Sequence, residues 1–142
     1  MFIGEFQHSV DDKGRLAIPR KFRKDLHKGA IVTRGLDSCL FVYPLKEWKT
    51  LAEKLAALPF SQGKNRKMQR FFLAGAMDVE ADAQGRVVLP EYLRTYAGIA
   101  KEVVVVGLFD RVEIWDVDAW SRHKAQTDKD ADSIAEELGG LN

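Results

Sequence analysis

Two arginines follow a glycine, and each has an aspartate four residues ahead: Asp11, Gly14 and Arg15 in "DDKGR", and Asp82, Gly85 and Arg86 in "DAQGR". A guanidinium is a planar fork of fixed donors. It can grip a phosphate, or the edge of a guanine, through two parallel hydrogen bonds. A carboxylate across the turn can orient that fork. The plainer alternative is that each Asp–Arg pair only stiffens its own turn, since exposed ion pairs contribute little else. The surroundings of the first pair argue for more than stiffening. From Lys13 to Lys24 there are six cations (Lys13, Arg15, Arg20, Lys21, Arg23 and Lys24) and no acid. The matching window of the second pair has Arg86 and Arg94, but also Glu91.

Catalytic chemistry has no comparable constellation. His8, His27 and His123 are scattered, and none stands at metal-ligand spacing from Cys39. The serines lack a nucleophile-elbow context, and no glycine-rich dinucleotide or phosphate-loop motif occurs. Asp11 and Asp82 could form a carboxylate pair if the repeats meet about a two-fold axis, but each has an arginine four residues on, which favours a salt bridge over acid–base work. The reading is of a protein with no catalytic residues, metal, cofactor or small-molecule substrate.

The two arginine turns belong to a longer repeat. "DDKGRLAIPRKFR" and "DAQGRVVLPEYLR" share the pattern D-x-x-G-R-φ-x-φ-P-x-x-φ-R, with φ apolar, 71 residues apart. Further on, "TRGLDSCLFVYPLKEW" aligns with "VVGLFDRVEIWDVDAW" at a distance of 72. Two copies of one unit, not a solenoid, follow from a repeat of this kind. In each copy, apolar segments flank a glycine turn and read as strand-turn-strand: "FQHSV" and "RLAIP", then "MDVEA" and "RVVLP". Pro19 and Pro90 stop the strand and suit the first turn of a helix, so "RKFRKDLH" and "EYLRTYA" read as short helices. The β-branched runs "AIVTRG" and "EVVVVGL" pair with "CLFVY" and "RVEIW" as hairpins.

Leu45, Trp48, Leu51, Ala52, Leu55 and Leu58 fall on one face of a helix after the first copy. Asp116 can cap a matching helix through Trp120. After the linker "PFSQGKN", Met68, Phe71 and Phe72 are expected to face inward, with Arg66, Lys67 and Arg70 outward. The polar tail from Thr127 is expected to fray, apart from one turn at "IAEEL". The divisions are 1–58, first repeat with its helix; 59–74, linker and helix; 75–126, second repeat with its helix; and 127–142, tail.

The chain of 142 residues is 46% hydrophobic and 30% charged, ordinary for a globular protein. No apolar run is long enough for a membrane-spanning helix. The opening "MFIGEFQHSV" does not read as a secretory leader, and one cysteine fits a reducing cytosol. Net charge is only +1, but residues 1–71 carry 15 Lys and Arg against 7 Asp and Glu, while residues 72–142 carry 7 against 14. The expectation is one basic and one acidic side, able to attract an anionic ligand or a neighbouring subunit.

At "VDDKGRLAIPRKFR" the sequence resembles the swapped-hairpin DNA-binding module of AbrB- and SpoVT-type regulators. Two such copies, each with D-x-x-x-R, followed by "YPLKEW" and "EIWDVDAW", resemble the MraZ family. That resemblance covers Met1 to about Trp120. It implies an α+β fold of two tandem β-β-α-β-β swapped-hairpin units forming one pseudo-two-fold body with flanking helices. It also implies a cytoplasmic, nucleoid-associated transcriptional repressor of the division and cell wall gene cluster that includes its own gene. Its partner would be double-stranded promoter DNA with short direct repeats, bound by a ring-shaped homo-oligomer. Lys13, Arg15, Arg20, Lys21 and Arg86 are then the expected DNA-binding residues, oriented by Asp11, Gly14, Asp82 and Gly85. The competing class is an assembly or partner-binding module without DNA contact.

Overall fold

The structure, a computed structural model, describes residues 1–140. Eight strands and five α-helices follow in chain order: β1 (Phe2–Ser9), β2 (Arg15–Ala17), α1 (Arg20–Leu26), β3 (Ala30–Arg34), β4 (Leu40–Pro44), α2 (Leu45–Ala56), α3 (Gly63–Gln69), β5 (Met77–Val79), β6 (Arg86–Val88), α4 (Glu91–Tyr96), β7 (Glu102–Phe109), β8 (Arg111–Asp116) and α5 (Val117–Leu138). A π-helical turn, Arg70–Ala74, continues α3.

The strands do not pair within their own repeat as the sequence suggests. β1 does not fold back on β2; it runs antiparallel along β7 of the second repeat, from Phe2 opposite Phe109 to Ser9 opposite Glu102. β5 of the second repeat pairs with β3 of the first. Only a single bridge, Val10 to Leu16, remains of the expected first hairpin. The two hairpins β3–β4 and β7–β8 form as expected. The result is one antiparallel sheet ordered β1-β7-β8-β4-β3-β5, and a separate ribbon of β2 with β6.

Both sheets carry the symmetry of the repeat. In the large sheet Phe41 faces Glu113, while Leu40 faces Ile114 and Val42 faces Val112. In the ribbon Leu16 faces Val87, while Arg15 faces Val88 and Ala17 faces Arg86. Each central pair joins positions that the repeat makes equivalent. A pseudo-two-fold axis therefore passes through both, and the second copy completes the fold of the first.

Alternation along the strands explains why so many are apolar on both faces. Val103, Val105, Leu40, Val42 and Ile114 face a core closed by Leu16, Phe22, Leu89 and Leu93, from the ribbon and from α1 and α4. Val104, Val106, Phe41, Tyr43 and Trp115 face the other side, under Leu55, Phe72 and Trp120 from α2, the π-helical turn and α5. Thr33 donates to the Phe72 carbonyl at 2.7 Å and Arg34 Nε to that of Phe71 at 3.1 Å, so the connection between repeats is tied to β3.

Three expectations need correction. Met68 is 39% exposed; of the three residues expected to face inward only Phe72 is buried, with Phe71 partly so. Leu45, at the start of α2, is 47% exposed and leans over Gly29. The segment from Thr127 does not fray: α5 continues unbroken to Leu138, and only residues 141–142 of the expected tail lie outside the described residues. Asp116 does cap that helix, accepting from the Ala119 N–H at 3.1 Å.

Candidate nucleic-acid interface

Each glycine turn is built from one aspartate. Asp11 Oδ1 accepts from the backbone N–H groups of Lys13 and Arg15, both at 2.9 Å, and Oδ2 accepts from Arg15 Nε at 2.7 Å. Asp82 repeats this with Gln84 N, Arg86 N and Arg86 Nε, all at 2.9 Å. This is the local aspartate-to-backbone bonding that favours turns over regular structure. Gly14 and Gly85 take φ of 79° and 78°, which a side chain would resist. The Arg15 backbone N–H leads in holding the Asp11 carboxyl below its ordinary range; its side chain and the Lys13 N–H add to this, against slight burial. Asp82 is lowered in the same way by Arg86 and Gln84.

Engaging Nε restrains the guanidinium plane, and among the described residues the Nη groups of Arg15 and Arg86 make no hydrogen bond. The Arg15 and Arg86 side chains are 31% and 29% exposed, so both are held and both can be reached. The ribbon sets their spacing. Leu16 and Val87 are buried beneath it, which turns Arg15, Ala17, Arg86 and Val88 to its outer face. The major groove of B-form DNA admits a two-stranded β-ribbon. Val88 is 53% exposed on the outer face of the ribbon.

The last arginine of the repeated pattern has a role that sequence reading did not assign. Arg23 Nε donates to the Ile18 carbonyl at 2.9 Å, and Arg94 Nε to the Leu89 carbonyl at 3.0 Å. Each then lies over the glycine of the opposite turn, Arg23 at Gly85 and Arg94 at Gly14. Backbone bonds make the same crossing, from Ile18 N to the Gly85 carbonyl at 2.9 Å and from Leu89 N to the Gly14 carbonyl at 2.8 Å. The two turns therefore brace one another. The signal was present in the sequence, in the recurrence of arginine at the thirteenth place of both copies.

The remaining expected contact residues lie around the first turn. Lys13, Arg20 and Lys21 are exposed, and no ion pair engages them among the described residues. At the equivalent places of the second copy stand Gln84, Glu91 and Tyr92. The internal geometry of the turns is alike; their electrostatic surroundings are not.

The charge split is not a division into two lobes, because the repeats interlock. It is concentrated in elements. The first turn, α1, α3 and the start of the π-helical turn carry many of the exposed cations, including Lys64, Arg66, Lys67 and Arg70. α5 and its cap carry seven of the fourteen acids of residues 72–142. From Ser121 onward no described residue of α5 is buried, and Ile134 and Leu138, one turn apart, are 43% and 63% exposed.

Cys39 offers no reactive thiol. It is 1% exposed, and burial, followed by the charges of Glu113 and Asp37, pushes its pKa well up. Glu113 is itself buried, held by Arg111 Nη2 at 3.1 Å and Trp115 Nε1 at 2.9 Å, which gives it a structural use.

Comparison with known proteins agrees with this architecture. The family model described as MraZ protein, putative antitoxin-like, matches twice, over residues 1–71 and 72–139. The transcriptional regulator MraZ of Pelotomaculum thermopropionicum is 50% identical over 142 residues, 100% of this chain and 98% of its own. That of Natranaerobius thermophilus is 49% identical over 138 residues, covering 97% and 96%. That of Pediococcus pentosaceus is 50% identical over 138 residues, with the same coverage.

Proposed function

The chain belongs to the MraZ family, a class of transcriptional regulators and not of enzymes, and from that membership we propose that it is a sequence-specific DNA-binding protein that represses transcription. The observation that carries the reading is the β2–β6 ribbon, which turns Arg15 and Arg86 outward from an interlocked base. The first turn enters the major groove. Arg15 reads a guanine edge, Lys13, Arg20 and Lys21 hold phosphates, and Asp11 orients the fork. Arg86, with fewer cations around it, reaches a phosphate or a neighbouring base. The target is the promoter of the division and cell wall gene cluster, its own gene included, through short direct repeats. The protein acts in the cytoplasm, at the nucleoid.

Binding to several repeats requires several copies in register. α5 and α3 supply complementary surfaces for head-to-tail assembly. Between Thr127 and Leu138 there are five acids and one lysine, flanking Ile134 and Leu138. Between Gly63 and Arg70 there are four cations and no acid, beside Phe60 at 79% and Met68 at 39% exposure. No described residue of α5 from Ser121 onward is buried, so packing α5 against α3 of the next copy would cover Ile134 and Leu138 and stabilise it. A heterologous contact of this kind closes into a ring when its rotation permits. Neighbouring subunits on spaced repeats then bind with a raised effective concentration.

A titration of the protein against its own upstream region tests the proposal. Specific binding, weakened by scrambling the repeats and falling steeply with salt, is the expected result. Equal affinity for scrambled and native DNA leaves an assembly module without base readout.

A further inference from the structure

The pseudo-symmetry is broken beside the second turn, and a cavity opens there. In the first copy the strand continues past β1: Val10 N donates to the Lys101 carbonyl at 2.8 Å, and Val10 is 4% exposed. The second copy stops short. β5 ends with Val79 opposite Ala30, and Ala81, the counterpart of Val10, is small and exposed. Among the described residues no backbone hydrogen bond carries the ladder past Val79, and the Ala81 methyl stands where the first copy has the larger side chain of Val10.

What remains is a cavity of about 260 Å³ between α1, the large sheet and the second turn. Its floor is apolar, made by Ile18, Leu26, Val42 and Val87. Arg23 and His27 line it too. Arg23 uses Nε on the Ile18 carbonyl; among the described residues its Nη groups make no hydrogen bond, and no carboxylate lies within 4.0 Å of them. The one acid lining the cavity, Asp82, has its oxygens already taken by Gln84 and Arg86.

We propose that this cavity is a binding site for a small carboxylic acid with a compact apolar body. The body sits on the floor and the carboxylate pairs with the Arg23 guanidinium. An apolar cavity of roughly 150 Å³ is enough for a benzene ring, so this one takes a ring and its carboxylate. An apolar enclosure with a few convergent polar groups is the usual form of a small-molecule site. Because Arg23 also covers Gly85, occupancy bears directly on the brace between the two turns. The site is defined by binding alone and stands whether or not the protein reads DNA.

The test uses the full chain with benzoate as the probe and benzyl alcohol as its neutral counterpart. Isothermal titration should give one benzoate per chain with a Kd below about 1 mM, and benzyl alcohol should bind at least about tenfold more weakly. Ala81→Leu, which fills the cavity, should lose benzoate about tenfold or more. No benzoate heat at ten times that concentration, or equal binding by a folded Ala81→Leu variant, overturns the proposal. Should that variant fail to fold, crystals of the wild type soaked in 4-bromobenzoate decide. An anomalous bromine peak in the cavity beside Arg23 supports the site; a peak elsewhere, or none, refutes it.

Discussion

Arg23 lies across Gly85: a Cβ at Gly85 would stand 2.5 Å from Arg23 Nε, closer than packed atoms allow. The relation is reciprocal, since a Cβ at Gly14 would meet the Leu89 carbonyl at 3.1 Å and Arg94 Nη2 at 3.2 Å. The repeated pattern thus specifies a pair of turns, with the last arginine of one copy seated on the glycine of the other.

Gly85→Ala should therefore destabilise the protein by about 1–3 kcal/mol. A left-handed backbone costs an alanine roughly 1–2 kcal/mol, and the Arg23 side chain must also shift. Denaturant unfolding measures the loss. A change under about 0.5 kcal/mol would mean that the brace is loose.

Cys39 should be silent in the native protein. A thiol held so far from its thiolate form does not attack a disulfide reagent. At pH 8 the expected result is no reaction until denaturant unfolds the chain, then one thiol per chain. Rapid native labelling would show that the core beneath Phe41 opens.

The turn aspartates set a limit on acid stability. Their folded pKa values lie below the ordinary 3.8, so the stabilisation they give is complete above that value and drops away as pH falls through the folded pKa. Between pH 6 and 8 that stabilisation is full and constant, so Asp11 and Asp82 should add no pH dependence to the melting temperature there, and the wild type should lose its advantage over Asp11→Asn only below about pH 4. An advantage that vanishes near neutrality would assign the titration to another group.

Assembly through α3 and α5 should follow charge. Reversing Lys64, Arg66 and Lys67 to Glu should reduce the oligomer to smaller species in sedimentation velocity, and reversing Asp128, Asp130 and Asp132 to Lys should do the same. Mixing the two reversed chains should restore the contact between them. Oligomers unaffected by either change would place the interface elsewhere.

Much of this was legible in the sequence because the signals were local. Aspartate, glycine and proline fix turns and helix starts by short-range bonding, so α1, α4 and both arginine turns emerge from their residues alone. Strand partners did not. β1 meets β7 and β5 meets β3 across the boundary between the repeats, and period-two patterning names a strand without naming its neighbour. The long α5 was missed because its residues from Ser121 on bury nothing, and an amphipathic stripe is the signal that reading relies on. The role of Arg23 and Arg94 was visible only as recurrence, since a bond to the neighbouring turn needs the swapped topology.

Operator affinity of Arg15→Ala, measured by fluorescence anisotropy at one salt concentration beside Arg86→Ala and the wild type, tests the central claim most directly. A lost bidentate contact costs roughly 1–3 kcal/mol per site, and it is lost in every subunit engaged on the repeats. Arg15→Ala should therefore abolish specific binding while its melting temperature and oligomer size stay close to wild type. Arg86→Ala should bind with a smaller loss, because its turn lacks the cations around Arg15. A folded Arg15→Ala protein that still binds its operator with wild-type affinity would contradict the account, leaving the Asp11–Arg15 pair as a brace for the turn and nothing more.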